Sequence, residues 1–243
     1  MGRAASVLAE RRAAAFAGIG ACVLAWFIAA PHLPHPGLWP DIVIVSAAVL
    51  PVTLLLVYLA LPLCGTGWMP LLAATAALAL LALAFSVAGW GLPANFAKLW
   101  AAVFAGWLFL TLFEQLSWVV IVAVVVPFVD AISVWRGPTH AITAHHFGVY
   151  TAVAIAFLVP GGGAAYLGPP DILFFGLFLG AAWRWGLRVG WSWIGTTAMY
   201  GLTIVIANAA DVGGLPALPF LSVGFLAANA DLLWTRLRRP AAS

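Results

Sequence analysis

The chain reads as long apolar runs broken at short intervals by proline, glycine and charge. Runs near the ~20 residues that an α-helix needs to cross a ~30 Å hydrocarbon core recur along almost the whole sequence. They predict eight membrane-spanning helices, at 13–30, 42–64, 70–91, 96–113, 117–135, 171–188, 192–210 and 216–235. Pro31 to Pro40, with His32 and His35, forms the first break, Gly65 to Pro70 the second and Gly91 to Lys98 the third. At each, the helix is interrupted and polar groups reach water. One connection is long, 136–170. Its apolar piece, Val149 to Val159, has about eleven residues, too few for a helix to cross the bilayer, and reads as an interfacial helix, a re-entrant piece or a strand.

Composition agrees. Of 243 residues, 65% are apolar and 7% charged, where a soluble domain carries about 25% charged residues; mean hydropathy is +1.11. The expected fold class is therefore all-α, a polytopic membrane helical bundle whose solvent is the lipid bilayer. The net charge of +3 does not point to nucleic acid, because the basic residues cluster at the ends of apolar runs, the pattern of membrane orientation. With Arg3, Arg11 and Arg12 in the cytoplasm, eight alternating spans place Arg184, Arg188, Arg236, Arg238 and Arg239 on the same side. Of the ten Lys and Arg residues, Lys98 and Arg136 are the exceptions to the positive-inside rule. Both termini are thus expected in the cytoplasm, with 1–116 a scaffold of helices, 117–235 a core and 236–243 a basic tail. The apolar stretch after Arg12 reads as a retained first helix, not a cleaved signal peptide.

Most polar residues have modest explanations. Cys22 and Cys64 fall in apolar segments outside any metal-type spacing and read as small buried hydrophobes. His140, His145 and His146, with Thr139 and Thr143 nearby, lack a carboxylate at ligand spacing, so no metal is expected there. Gly161-Gly162-Gly163 reads as a flexible hinge, Trp39, Trp68, Trp90, Trp135 and Trp191 as interfacial anchors, and Asn208 and Asn229 as sources of interhelical hydrogen bonds.

Seven acidic residues remain. Glu10 lies in the N-terminal arm, Asp41 and Asp211 in loops, Glu114 at a span junction and Asp231 one turn before the terminal arginines. Asp130 and Asp171 differ, having apolar sequence close by. An ionised Asp near a helix centre costs about 2.5–3.5 kcal/mol on insertion scales, so it calls for a partner, a water-filled cavity or a function. Asp130 is thirteen residues beyond Ser117, and Asp171 thirteen before Arg184. At ~1.5 Å per residue, each lies about 20 Å from the same face, so the two are level. If they face each other, carboxylates ~4–5 Å apart repel by roughly 3–4 kcal/mol at an effective dielectric of ~20, and the pair holds one shared proton near neutral pH. Such a dyad has one base to activate water and one acid to donate to a carbonyl oxygen. The alternative from depth alone is two separate polar residues bonded to neighbouring helices.

Three stretches resemble the presenilin and signal peptide peptidase family of intramembrane aspartyl proteases. PFVDAISVWRGP at 127–138 resembles the motif in which an Asp late in one helix is followed by Gly-Pro. LGPPDILFFGLFLG at 167–180 resembles the Gly-x-Gly-Asp motif that opens the next core helix with the second Asp. LPALPF at 215–220 contains Pro-Ala-Leu as Pro216, Ala217 and Leu218. The resemblance covers roughly 117–235 and implies a presenilin-like bundle lacking the family's first span, in a prokaryotic-type member oriented like a signal peptide peptidase in the cytoplasmic membrane. It implies Asp130 and Asp171 as catalytic residues, Gly168, Pro170, Pro216, Ala217 and Leu218 as substrate-binding, transmembrane helices as substrate and no cofactor beyond water. Two positions depart: Val129 stands where the family has Tyr, and Pro170 where it has the second Gly. Two further functions fit the sequence: a proton- or cation-coupled transporter using the level aspartates beside broken helices, and a non-catalytic relative that binds transmembrane helices.

Overall fold

The computed structural model describes residues 2–136, 147–212 and 215–238. The Gly137-Pro138 of the first motif and the three histidines of the long connection lie outside these residues. The helices are α1 (Gly2–Ala29), α2 (Leu38–Ile44), α3 (Leu50–Ala60), α4 (Trp68–Val87), α5 (Gly91–Leu110), α6 (Leu116–Arg136), α7 (Phe147–Val153), α8 (Pro169–Arg184), α9 (Val189–Ala209) and α10 (Leu218–Arg238). A π turn at Val45–Val49 joins α2 to α3 and a 3-10 turn at Leu61–Gly65 extends α3, making one run, the wide turn coming just before Pro51, whose missing N–H interrupts the regular ladder. Among the described residues, seven helical runs are long and apolar enough to cross a membrane. The chain is an all-α polytopic helical bundle, a multi-pass membrane protein.

The sixth predicted span, 171–188, is a different object. α8 has 16 residues, about 24 Å at ~1.5 Å per residue, and Gly186 with φ 58° follows soon after its end. Ile172, Phe175, Leu177, Phe178, Ala181 and Ala182 along it are fully buried. A helix apolar all round belongs inside protein, and α8 is the central helix, wrapped by α5, α9 and α10. Glycine lets the backbones meet. A Cβ on Gly106 of α5 would lie 2.2 Å from the Leu173 carbonyl oxygen of α8, and one on Gly195 of α9 would lie 2.7 Å from the Gly224 carbonyl oxygen of α10. Small residues at crossings are how helices pack where lipid removes the hydrophobic drive between them. Phe178 stacks on Phe225 of α10 with centroids 4.8 Å apart.

Arginines gather at one end of the bundle and hydrogen-bond the last carbonyls of helices. Arg12 donates to Leu59 O and Tyr58 O at the end of α3, Arg184 to Leu110 O at the end of α5, and Arg236 to Trp185 O and Gly186 O just past α8. Carbonyls at a helix end have acceptor capacity to spare, and cationic side chains suit that end of the helix dipole. The N-terminal arm and the C-terminal arginines consequently share one face.

The long connection contains short α7 and then a β-hairpin, β1 (Ile155–Leu158) and β2 (Ala164–Leu167), paired antiparallel with Ile155 opposite Leu167 and Leu158 opposite Ala164. The glycines expected as a hinge form its turn, with φ 80° at Gly161 and 84° at Gly162, a conformation glycine adopts without strain. Side chains satisfy the outer edge of β1. The Asn95 amide donates to Ala156 O (2.9 Å) and accepts from Ala156 N–H (2.7 Å), and the Trp26 indole donates to Leu158 O (2.9 Å). Lys98 closes the end of α7, its ammonium donating to Ala152 O (3.1 Å) and Ala154 O (2.8 Å).

Four smaller expectations are corrected. Asp41 is not in a loop: it lies buried in the first turn of α2, 2.8 Å from His35 Nδ1. Cys22 is exposed, beside a hollow that α1 forms with the α2–α3 run, while Cys64 is buried. Asn208 bonds to Ile204 O of its own helix, whereas Asn229 bridges to Ser192 and to Arg188 N–H. The last predicted span starts two residues late, because Pro216 and Ala217 precede the helix.

Gly106→Ala is expected to lower stability by about 1–3 kcal/mol or more, the cost of overpacking against a backbone that cannot give. Thermal unfolding in detergent checks this, with Gly91→Ala, where a Cβ meets nothing within 4 Å, as the neutral comparison.

Candidate active site

The site forms where two helices begin. α10 begins at Leu218, after the irregular Leu215 and the buried Pro216 and Ala217, and Pro219 in its first turn has no N–H to offer. The Leu218 N–H, one of the donors a helix start leaves without an internal partner, is held at 3.1 Å by Asp130 Oδ2. Asp130 therefore acts as an N-cap supplied by another helix. It lies three residues past Pro127, the proline inside α6 that interrupts that helix's ladder.

α8 begins similarly. Gly168 is its N-cap residue with extended φ −66° and ψ 151°, Pro169 and Pro170 occupy the first two helical positions, and Asp171 the third. Asp171 Oδ2 accepts the Gly168 N–H at 2.9 Å, and the Asp171 N–H donates to Gly168 O at 3.1 Å. Prolines suit a first turn whose N–H groups the helix does not use. The buried Tyr200 of α9 donates its hydroxyl to the Asp171 carbonyl oxygen, fixing the backbone of α8 where the acidic side chain leaves it.

These starts share one cavity. A hollow of about 300 Å³ is lined by Asp171, by Tyr150 of α7, by Ala165, Tyr166 and Leu167 of β2, by Thr203, Ile204, Ala207 and Asn208 of α9, and by Leu215 and Ala217, with Val212 at its rim. Asp130 reaches the next residue, Leu218. Asp171 thus stands in the cavity wall with Ala217, and Asp130 is bonded to the residue that follows Ala217. Tyr150, outside the membrane-spanning helices, rests edge-on against Tyr166 with centroids 6.5 Å apart. Burial first, then the charges of Asp171 and Asp130, push its phenol up from 10.0 to about 12, so it is a neutral hydroxyl throughout the working range of pH.

Of the residues singled out from sequence, Asp130, Asp171, Gly168, Ala217 and Leu218 meet here and Pro216 is buried between two lining residues. Pro170 goes elsewhere, into the wall of a separate groove against α4 and α5. Val129 is exposed, turned from the site. Tyr150, Tyr200 and the hairpin edge carry no sequence signal of their own beyond polar atoms in apolar surroundings. No family model matches the chain, and no curated protein or solved structure is similar to it. The resemblance therefore rests on the three motifs and on how they meet.

Raising the pH tests the Tyr150 environment. A phenol with a raised value in the folded protein contributes stability that is complete below pH 10 and is lost as pH climbs through about 12, because the unfolded chain releases its proton first. The loss between pH 10 and 12 is expected to be smaller in Tyr150→Phe than in the parent protein, measured as the midpoint of thermal unfolding at each pH.

Proposed function

We propose that the protein is an intramembrane aspartyl protease of the presenilin and signal peptide peptidase type, with Asp130 and Asp171 as its catalytic pair. The reading is carried by one observation: Asp130 of the first motif holds the Leu218 N–H of the third, and Asp171 of the second, which holds the Gly168 N–H at its own helix start, lines a cavity together with Ala217, the residue before Leu218. In the proposed chemistry the ionised member takes a proton from water as its oxygen attacks the scissile carbonyl carbon, and the protonated member donates to the carbonyl oxygen. Collapse of the resulting diol breaks the C–N bond, with a proton passing to the amine. No cofactor takes part.

A helical substrate hides its peptide bonds, so cleavage requires an extended segment beside the dyad. β2 is the cavity-side strand of a two-stranded sheet, and a substrate segment added beside it brings peptide bonds to Asp171, a known mode of peptide recognition. Leu215 and Ala217, in the irregular segment before α10, also line the cavity.

The decisive experiment is cleavage of a reporter transmembrane helix in liposomes. Asp130→Asn and Asp171→Asn keep an acceptor for the capped N–H groups but remove the acid and base, so the folds survive. Each is expected to reduce cleavage by at least about 10²-fold with the melting temperature little changed. Cleavage that persists in either variant overturns the assignment, and proton-coupled ion flux without cleavage favours a transporter.

A further inference from the structure

On the far side of the α8 start from Asp171 lies a hollow of about 950 Å³, between α4, α5, α7 and α8. That volume is at the upper end of the ~300–1,000 Å³ of built ligand pockets. Its floor is made of alanines, among them Ala79, Ala101 and Ala105, and its walls include Leu83, Leu173 and Phe174. Lys98 lies towards one end, with Ser86 near it on α4, and Phe109 and Thr75 lie at the other. From Lys98 to Phe109 is eleven residues along α5, about 16 Å, which is close to half of a ~30 Å hydrocarbon core and so to the depth of one leaflet.

Lys98 makes this slot chemically particular. Among the described residues it has no acidic partner: the two ion pairs are His35 with Asp41 and Arg188 with Asp231. Its hydrogen bonds go to two backbone carbonyls, and an ammonium has three N–H donors. It is also a cation on the face opposite the arginine cluster, where the positive-inside bias does not favour it. An uncompensated ammonium beside an apolar slot one leaflet deep matches a molecule with an anionic head and a hydrocarbon tail.

We propose that this groove is a binding site for an anionic phospholipid, its phosphate on Lys98 and an acyl chain lying along Ala101 and Ala105. The four-carbon stem of Lys98 lets the ammonium rise toward the headgroup while staying packed on α5. The site does not depend on the protease reading. Because Pro169 and Pro170 form part of its wall, a bound lipid touches the helix start that carries Asp171.

The test uses the full-length protein in neutral detergent, titrated with dioleoylphosphatidylglycerol or dioleoylphosphatidylcholine and read by native mass spectrometry. The anionic lipid is expected to bind about fivefold more tightly, the ratio that one lysine at a membrane surface supplies. Lys98→Gln abolishes that preference and Lys98→Arg keeps it; Ala105→Leu, which fills the floor, weakens binding of both lipids. Should Lys98→Gln fail to fold because α7 loses its cap, Lys98→Arg and Ala105→Leu still decide. Equal binding of the two lipids by the parent protein, preference retained in Lys98→Gln, or undiminished binding in Ala105→Leu overturns the proposal. So does competition by millimolar inorganic phosphate with no dependence on the acyl chain, which assigns the site to a free anion.

Discussion

Backbone polar groups at membrane depth have no water to turn to, and every departure from helix must supply its own partners. An unsatisfied N–H or C=O in hydrocarbon costs several kcal/mol, and several polar side chains of this chain meet that need where helices stop. Asp130 takes the first N–H of α10 and Asp171 the N–H before α8. Asn95, Trp26 and Lys98 take the outer edge of β1 and the end of α7, and Arg12, Arg184 and Arg236 take helix ends at the opposite face. Eight side chains thus allow a chain with 7% charged residues to contain a hairpin and broken helices.

The same constraint explains how acids are tolerated there. The positive end of a helix dipole stabilises a nearby anion by about 0.3–1 kcal/mol, rising to ~2 in partly buried geometry. One charge–dipole interaction at each helix start offsets much of the insertion cost of one carboxylate, about 2.5–3.5 kcal/mol. It does not also offset the roughly 3–4 kcal/mol of repulsion that two charges ~4–5 Å apart feel at an effective dielectric of ~20. Capping and catalysis therefore make different demands on the pair. A cap needs only an acceptor oxygen, which Asn also provides, whereas proposed water activation needs one member charged and the other protonated, the condition that two acids brought to neighbouring helix starts create for themselves.

The architecture was legible because its signal is long-range in sequence: a run of some twenty apolar residues has few alternatives in a bilayer. What misled was counting each apolar run as one membrane span. The run at 171–188 is as apolar as its neighbours, yet α8 is shorter than a span because protein surrounds it, and only the glycines at 106, 176 and 180 hint that other backbones press on it. The two acids stood out for their cost, and counting residues to the helix ends put them at similar depth. Rotation about the helix axis is invisible to such counting, so Tyr150, Tyr200 and the cavity edge of β2 were not. Asp41 was misplaced for a related reason: proline and glycine around 36–40 suggest a loop, but Pro40 lies in the first turn of α2, where proline is at home.

Pro170 shows how geometry reweighs a departure that sequence alone makes look damaging. Proline in place of glycine removes an N–H and fixes φ near −65°, which in the middle of an extended segment beside a substrate would take away a hydrogen bond. Here the residue is second in α8, where the helix has no use for the N–H and the φ is already helical. Its ring meets the α4–α5 groove while the next residue, Asp171, lines the opposite cavity. Substitution on that side leaves the cavity wall untouched and stiffens the start of the helix that carries the acid. On the cavity side the position of the carboxylate depends instead on Gly168, whose N–H Asp171 holds.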